Sequence, residues 1–185
     1  MLLDNKTAVL TGSNRGIGKK ILEVFSMNGA KVFACVRENN DSFKSHVDQL
    51  EKKTKNQIIT IKLDLSNEEE IKNAANEIVS SKIPIDILIN NAGIIHNSIF
   101  QMTSINKFKE IFDINFFSQA LFTQYILKSM VKNKKGSIVN ISSTSGIDGN
   151  AGRSAYSASK AALISQSKAL SRELGIHNIR VNTIA

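Results

Sequence analysis

Cysteine and histidine are scarce in this chain of 185 residues, and their scarcity excludes several kinds of protein. The single cysteine, Cys35, lies in an apolar run typical of a buried strand. It has no partner for an internal disulfide bond, which fits a reducing compartment. The three histidines, His46, His96 and His177, show none of the spacings of metal-ligand sets. The sequence therefore predicts neither a disulfide scaffold nor a metal site.

Long apolar runs are also absent. No stretch approaches the ~20 residues of a membrane span, and no signal peptide precedes the first predicted strand. The formal net charge of +8 invites a nucleic-acid interpretation. However, the lysines are spread along the chain, and no helix-turn-helix, zinc-finger or aromatic RNA-binding pattern occurs. We expect a cytoplasmic protein that binds neither nucleic acid nor membrane, with a basic surface facing anionic substrates or cofactors.

The chain does contain a regular alternation of short apolar runs and longer helical patterns. Six runs predict buried strands, at 7–10, 31–36, 58–63, 85–89, 137–141 and 179–184. Helices are predicted at 17–28, 41–53, 66–80, 105–131 and 154–174, with Ser66 as the cap of the third and Gly136 as a break after the fourth. This alternation predicts one α/β domain over residues 1–185, a doubly wound, Rossmann-like parallel sheet between two layers of helices.

A glycine-rich turn follows the first predicted strand directly and opens a helix. Glycines at positions 12, 16 and 18 permit a tight turn and let backbone N–H groups and the helix dipole face a pyrophosphate. Such a triplet can also serve an ordinary turn, but its place between a strand and a helix favours a dinucleotide site. The residues predicted to bind the cofactor here are Gly12, Ser13, Asn14, Arg15, Gly16, Ile17 and Gly18.

The end of the second strand predicts which dinucleotide is bound. An NAD-binding chain usually has a carboxylate there for the ribose 2′-hydroxyl. Here the strand leads into Arg37, and Arg15 lies in the glycine turn. Two guanidinium groups suit a 2′-phosphate, which arginine can bind bidentately. NADP(H) is the favoured cofactor; the alternative is that Arg37 and Glu38 are merely solvated loop residues.

Tyr156 and Lys160 stand four residues apart in a predicted helix, so they share one helix face with Cβ atoms roughly 5–6 Å apart. An ammonium group at that distance favours the ionised form of a phenol. A tyrosine in this setting can donate a proton to a carbonyl oxygen or take one from an alcohol. Because this spacing is common by chance on exposed helices, the pair is a catalytic candidate whose meaning depends on the other motifs.

With the glycine turn, the Asn90-Asn-Ala-Gly stretch, Ser143 and the tyrosine–lysine pair in this order, the chain resembles the compact short-chain dehydrogenases/reductases. The glycine spacing is that of the compact subgroup and differs from that of the extended sugar-nucleotide epimerases. The resemblance covers the whole length of the chain. It implies reduction of a carbonyl to an alcohol with NADPH, or the reverse oxidation.

The resemblance also implies roles for further residues. Ser143, thirteen residues before Tyr156, matches the catalytic serine of the family, with Ser142 as the alternative if the register slips. Asn115 matches the asparagine that supports a proton-relay water. The positions matching the adenine-bonding acid and the wall of the cofactor site are Asp64 with its neighbour Leu65, and Asn91, Ala92 and Gly93.

Each of these residues has a plainer interpretation. Ser143 lies in a serine-rich turn, Asn115 could cap or bridge backbone within a helix, and Asp64 could simply approach the next helix. The chemistry nevertheless fits, because a carbonyl under reduction develops negative charge that a hydroxyl donor and a proton source must meet. In that scheme Ser143 hydrogen-bonds the oxygen, Tyr156 protonates it, and Lys160 acts on the tyrosine and the nicotinamide ribose.

The nearest resemblance within the family is to the 3-oxoacyl-acyl-carrier-protein reductases of fatty-acid synthesis. The lysines before the fifth strand could attract an acidic carrier protein; they are Lys128, Lys132, Lys134 and Lys135. Reduction of sugars, steroids or polyols would use the same catalytic residues. Family members normally continue past Ala185 with a helical lid and a further strand. We therefore expect a truncated enzyme, or else a cofactor-binding protein without turnover, and a homo-oligomer (dimer or tetramer) at full length.

Overall fold

The computed structural model describes residues 1–185. Six parallel strands form one sheet in the order β3–β2–β1–β4–β5–β6. The strands are Thr7–Thr11 (β1), Lys31–Val36 (β2), Ile58–Lys62 (β3), Ile87–Asn90 (β4), Gly136–Ile141 (β5) and Ile179–Ile184 (β6). The helices are Gly16–Met27 (α1), Asp41–Thr54 (α2), Glu68–Ser80 (α3), Ile105–Phe112 (α4), Ser118–Asn133 (α5), Ser145–Asp148 (α6) and Ser154–Glu173 (α7). None of the helices is both long and apolar enough to cross a membrane.

Successive strand residues point to opposite faces of the sheet, and each face is covered by helices. Val9 and Phe33 belong to a core cluster with the buried side chains of α3 and α5. Leu10 and Val32 belong to a second cluster, packed against α1 and α2. Each fully buried side chain of this size contributes about 1.5–3 kcal/mol relative to an exposed one. The predicted three-layer α/β architecture with a doubly wound sheet is confirmed.

Several predicted boundaries differ from the structure. The cap of α3 is Asn67, not Ser66: the Asn67 side chain accepts from the N–H groups of Glu69 and Glu70 at 3.0 and 3.2 Å. Gly136 is the first residue of β5, not a break before it. The preceding helix ends because Lys134 adopts a left-handed conformation with φ of 49°.

The helix predicted over 105–131 is continuous from Ile105 to Asn133, but it is not α-helical throughout. A π-helical turn over Asp113–Phe117 separates α4 from α5. Wide turns of this kind interrupt the regular i→i+4 ladder and are frequent at functional sites. Asn115, at the centre of the turn, is completely buried and bonds both the N–H and the carbonyl of Ile94. A contact with a loop distant in sequence therefore accompanies the interruption.

The order of the strands determines where a ligand can bind. Chain order runs outward in one direction through β1, β2 and β3, and in the other through β4, β5 and β6. The reversal lies between β1 and β4, which pair through Ala8–Leu10 and Ile87–Ile89. In open α/β sheets the crevice beyond the carboxyl ends of the strands at this reversal is the usual ligand site.

Candidate functional site

A crevice of about 520 Å³ opens at the carboxyl ends of β1 and β4. Twelve of its lining residues were predicted to bind a cofactor: Gly12, Asn14, Arg15, Gly16, Ile17, Gly18, Arg37, Asp64, Leu65, Asn91, Ala92 and Gly93. Three apolar residues complete the lining without having been predicted, namely Leu63, Ile94 and Ile114. Ser13 does not line the crevice, because it is buried beneath the turn with its hydroxyl donating to the Leu10 carbonyl at 2.9 Å.

The glycine turn forms a cradle that a side chain would fill. Gly12 has a φ of +70°, in the left-handed region that favours glycine. At Gly18, a Cβ atom would overlap the carbonyl oxygen of Gly12, so the start of α1 lies directly against the turn. No side chain caps α1, and its first turn contains no acidic residue. The free N–H groups and the positive helix end therefore remain available for a phosphate.

The opposite wall of the crevice is fastened to the turn by hydrogen bonds. Thr11 Oγ1 accepts from the N–H groups of Asn91 and Ala92, both at 3.0 Å. The Asn91 side-chain amide donates in return to the carbonyls of Thr11 and Gly12 at 3.0 and 3.2 Å. These bonds join the ends of β1 and β4, so the two walls of the crevice form one rigid unit.

Two arginines border the crevice and are free to bind an anion. Arg15 and Arg37 are exposed, and neither takes part in an ion pair within the protein. Glu38, the carboxylate nearest to the end of β2, is exposed and does not line the crevice. A site with two free guanidinium groups fits a dinucleotide that carries an additional phosphate.

Asp64 lines the same crevice as Arg37, and its surroundings favour the ionised form of its carboxyl group. Partial burial opposes its charge, but the N–H and hydroxyl of Ser66 donate to Oδ1 at 2.8 and 2.7 Å. With the positive charges of Arg37 and Lys62 nearby, these bonds lower the pKa of Asp64 below its ordinary value. The plainer interpretation of Asp64 as a residue that shapes the approach to α3 also holds, because Ser66 precedes the cap.

Lys160 is buried in α7, with 4% of its surface exposed. Its ammonium group donates to the Ile141 carbonyl at the end of β5 at 2.7 Å, and burial lowers its pKa to about 8. Nζ lies 5.9 Å from the centre of the Tyr156 ring. A Cβ atom at Gly93 would lie 3.6 Å from the same Nζ. The ammonium group is thus close to both the tyrosine and the wall of the crevice.

The two candidate serines have different surroundings. Ser142 is buried, and its hydroxyl donates to the backbone carbonyl of Lys160 at 2.8 Å. Ser143 is half-buried in the turn between β5 and α6, and its hydroxyl oxygen accepts from the N–H of Ser145 at 3.1 Å. An accepting hydroxyl keeps its own proton free to donate. Only Ser143 can therefore offer a donor to a ligand without breaking a bond to α7.

Asn115 connects the crevice wall to the helix that carries the tyrosine. Its Nδ2 donates to Ser159 Oγ at 3.1 Å, and Ser159 Oγ donates to the backbone carbonyl of Tyr156 at 2.7 Å. No protein group hydrogen-bonds the phenolic hydroxyl of Tyr156, which is half-buried. The structure thus assembles Tyr156, Lys160, Ser143 and Asn115 around the carboxyl end of β5 and the start of α7.

Sequence reasoning missed the supporting polar residues. Ser159 lies three positions after Tyr156, a helical spacing that could have indicated it. Gln119 is buried and donates to the Ala92 carbonyl in the crevice wall. Asn90 and Asn140, on adjacent strands, bond each other at 2.8 Å. No local pattern could have indicated these contacts between distant segments. The structure brings together no group of three or more histidine, cysteine, aspartate or glutamate residues that could hold a metal ion.

Comparison with known proteins identifies the class. Residues 6–185 match the family model described as short chain dehydrogenase. The chain belongs to this family, and it is an oxidoreductase by class. Its similarity extends to individual relatives with curated functions.

The 3-oxoacyl-acyl-carrier-protein reductase FabG of Chlamydia muridarum is 36% identical over 184 residues, which are 100% of this chain and 74% of the relative. The acetoacetyl-CoA reductase of Acinetobacter sp. strain RA3849 is 34% identical over 182 residues, covering 98% of this chain and 73% of that one. Among solved structures, a provisionally assigned NAD(P)-dependent gluconate 5-dehydrogenase from Beutenbergia cavernae, with NADP bound at low occupancy, superposes with a TM-score of 0.91 at 29% identity. That match covers 98% of this chain and 71% of the other.

Proposed function

We propose that the protein reduces the 3-oxo group of an acyl thioester to a hydroxyl group. The observation that carries the proposal is the position of the Lys160 ammonium, which lies beside the Tyr156 ring and close to the Gly93 wall of the crevice. The ammonium group therefore lies between the candidate proton donor and the candidate dinucleotide site. The cofactor is NADP(H), and Arg15 and Arg37 are the residues that would hold its 2′-phosphate.

When bound, NADPH supplies the hydride, and the residues of the chain bind the carbonyl oxygen and supply the proton. The hydroxyl group of Ser143 donates a hydrogen bond to the carbonyl oxygen of the substrate and stabilises the negative charge that develops there. Tyr156 transfers the proton of its phenol to that oxygen, which completes the alcohol. The Lys160 ammonium stabilises the phenolate that remains, and Asn115 holds α7 in place through Ser159.

Two features support an acyl thioester as the substrate. The curated relatives include reductases of 3-oxoacyl chains on acyl carrier protein and of acetoacetyl-CoA, at 34–36% identity over almost the whole chain. The segment that follows Gly93 also exposes four apolar side chains, those of Ile95, Ile99, Phe100 and Met102. Apolar groups at this position suit an acyl chain better than a sugar.

The fold bears on whether an acidic carrier protein could dock at the lysines before β5 and reach the crevice. Lys134 and Lys135 lie at the amino end of β5, whereas Ser143 follows its carboxyl end. Six residues of strand span roughly 20 Å at 3.3 Å each. The two lysines therefore lie at the amino ends of the strands, on the side of the sheet opposite to the crevice of the same chain. A carrier held there would therefore not reach the crevice of the same chain, and Lys135 is already paired with Asp86 at 3.1 Å.

Oxidation of NADPH with acetoacetyl-CoA as substrate tests the proposal, followed by absorbance and compared between the wild type and Tyr156→Phe. We expect turnover in the wild type and a loss of at least 10²-fold in the variant. NADPH binding with no turnover would instead favour a cofactor-binding protein without catalysis. Faster reduction of 5-ketogluconate than of acetoacetyl-CoA would overturn the substrate assignment in favour of a sugar. The cytoplasmic location and the oligomeric state stay predictions.

A further inference from the structure

Two loops on either side of the candidate catalytic residues are joined to each other at two points. One is the β4–α4 loop, residues 91–104; the other is the α6–α7 loop, residues 149–153. The N–H of Ser98 donates to the Gly152 carbonyl at 2.8 Å. Nε of Arg153 donates to Asn97 Oδ1, also at 2.8 Å. Tyr156 follows three residues after Arg153, in the first turn of α7.

The α6–α7 loop has few other restraints. Gly149 and Gly152 both have positive φ, at 74° and 73°, and a Cβ atom at either would meet nothing within 4 Å. Within the loop, the N–H of Arg153 bonds the Asn150 carbonyl at 3.1 Å. No side chain caps the beginning of α7. The two bonds to the β4–α4 loop therefore restrain the approach to this helix start, while Ser142 and Asn115 hold the next turn of α7.

The β4–α4 loop is itself fixed at its other end. Asn115 accepts from the N–H of Ile94 at 2.8 Å and donates to the Ile94 carbonyl at 2.9 Å. Through Ser159, the same amide reaches the backbone of Tyr156. The hydrogen bonds thus form a closed ring that runs from Ile94 along the loop to the start of α7 and returns through Asn115. Between the two loops, the bond from Arg153 to Asn97 is the only hydrogen bond that side chains make.

We infer that Arg153, acting through Asn97, is a positioning residue that sets the location of the Tyr156 phenol relative to the crevice. The inference rests on the proposed function, in which Tyr156 is the proton donor. Arginine suits this task because its guanidinium is planar and rigid, so a bond from Nε fixes the direction of the side chain. A lysine has a flexible stem and a point charge, and it would hold Asn97 less well. Catalysis is sensitive to small displacements of the reacting groups.

Steady-state kinetics with NADPH and acetoacetyl-CoA test the inference in the full chain. We expect Arg153→Ala and Asn97→Ala each to lower kcat roughly tenfold, and the double variant to lower it no further, because both remove the same bond. Arg153→Lys should recover part of the loss. The KM for NADPH should stay within a factor of two in all of them. Arg172→Ala, which removes an exposed arginine from the last turn of the same helix, is the matched control.

Amide hydrogen exchange at Ser98 provides a measurement that does not depend on turnover. Its N–H bonds Gly152, so it should exchange about tenfold faster in Arg153→Ala and remain protected in Arg172→Ala and Tyr156→Phe. Unchanged kcat in an active enzyme, multiplicative losses in the double variant, or unchanged exchange at Ser98 would each overturn the inference. If the wild type shows no turnover, the proposed function fails, and the exchange measurement alone decides whether Arg153 holds the two loops together.

Discussion

Ser142 holds the helix of Lys160 against the end of β5, through a bond of 2.8 Å from its hydroxyl to the Lys160 carbonyl. Just after this point, the short helix α6 lies against α7 so closely that a Cβ atom at Gly146 would come within 2.8 Å of the Lys160 carbonyl carbon. The backbone of the lysine is thus fixed from two sides. The Ser143 side chain takes no part in this contact, so the hydroxyl groups of the two neighbouring serines have different roles.

This division of tasks predicts different effects for the two serine-to-alanine substitutions. Ser143→Ala should lower kcat by 10²–10³-fold, the typical cost of losing one donor to a developing oxyanion, with little change in stability. Ser142→Ala should lower the free energy of unfolding by about 1 kcal/mol, the typical contribution of a buried hydrogen bond. Urea unfolding and steady-state kinetics of both variants check this. The reverse pattern would assign the catalytic hydroxyl to Ser142.

Burial of Lys160 predicts a pH-dependent stability in the absence of cofactor. Its pKa is about 8 in the folded protein and about 10.5 when unfolded, so between these values the unfolded chain binds more protons. The stability contributed by this group is present above the unfolded pKa and is lost as the pH falls through 8. The full loss is on the order of 3.5 kcal/mol, because the two pKa values differ by about 2.5 and each pKa unit corresponds to about 1.4 kcal/mol.

Urea unfolding at pH 7 and pH 10, for the wild type and for Lys160→Met, checks this prediction. Methionine keeps most of the length of the side chain and removes the charge. It also removes the bond to the Ile141 carbonyl, the strength of which is already contained in the folded pKa of Lys160. Between pH 7 and 10 the wild type should therefore gain stability relative to the variant. Equal changes in the two proteins would show that Lys160 is not desolvated.

How far the sequence predicts this fold depends on whether the relevant interaction is local. The alternation of Val9 and Leu10 between the two core clusters follows from strand geometry, so periodicity predicts the strands and both layers of helices. The turn at Gly12 and the helix after it are also local. The interruption at Asn115 is not local, because it accompanies a pair of bonds to Ile94, twenty-one residues away. A helical pattern alone therefore predicts an unbroken helix.

The same distinction applies to the candidate site. Arg37 was identifiable because it directly follows a strand, and parallel strands end along one side of the sheet. Gly93 was identified by the family resemblance instead. Ile114 lines the crevice from a distant π-helical turn, and Ser159 reaches it through Asn115. Their positions follow from packing between segments that no spacing rule connects. The location of Lys134 at the amino ends of the strands, far from the crevice, could have been deduced, because Lys134 lies just before a predicted strand.

The free guanidinium groups at the crevice predict the cofactor preference. Arg37→Ala should weaken NADPH binding by about 10–100-fold, the equivalent of one charge-assisted contact of about 1.5–3 kcal/mol, and change NADH binding less than threefold. Arg180→Ala is the control, because Arg180 is an exposed arginine on β6 that does not line the crevice. Titration followed by the fluorescence of the reduced cofactor gives both dissociation constants. Equal losses for the two dinucleotides would refute a 2′-phosphate contact at Arg37.

The contact between Gly18 and the turn predicts that a single methyl group damages both the fold and the site. In Gly18→Ala the new Cβ would overlap the Gly12 carbonyl oxygen and press on the Asn91 amide. That amide holds the carbonyls of Thr11 and Gly12, so relief of the overlap must disturb the bonds between the crevice walls. Overpacking of this kind costs about 1–3 kcal/mol. NADPH affinity should fall at least tenfold, because the cradle and the start of α1 move together.

Gly175→Ala is the matched control, since a Cβ atom there meets nothing within 4 Å. Urea unfolding and NADPH titration should leave the control within 0.5 kcal/mol and twofold of the wild type; an equally tolerant Gly18→Ala would mean that the turn is not the phosphate cradle.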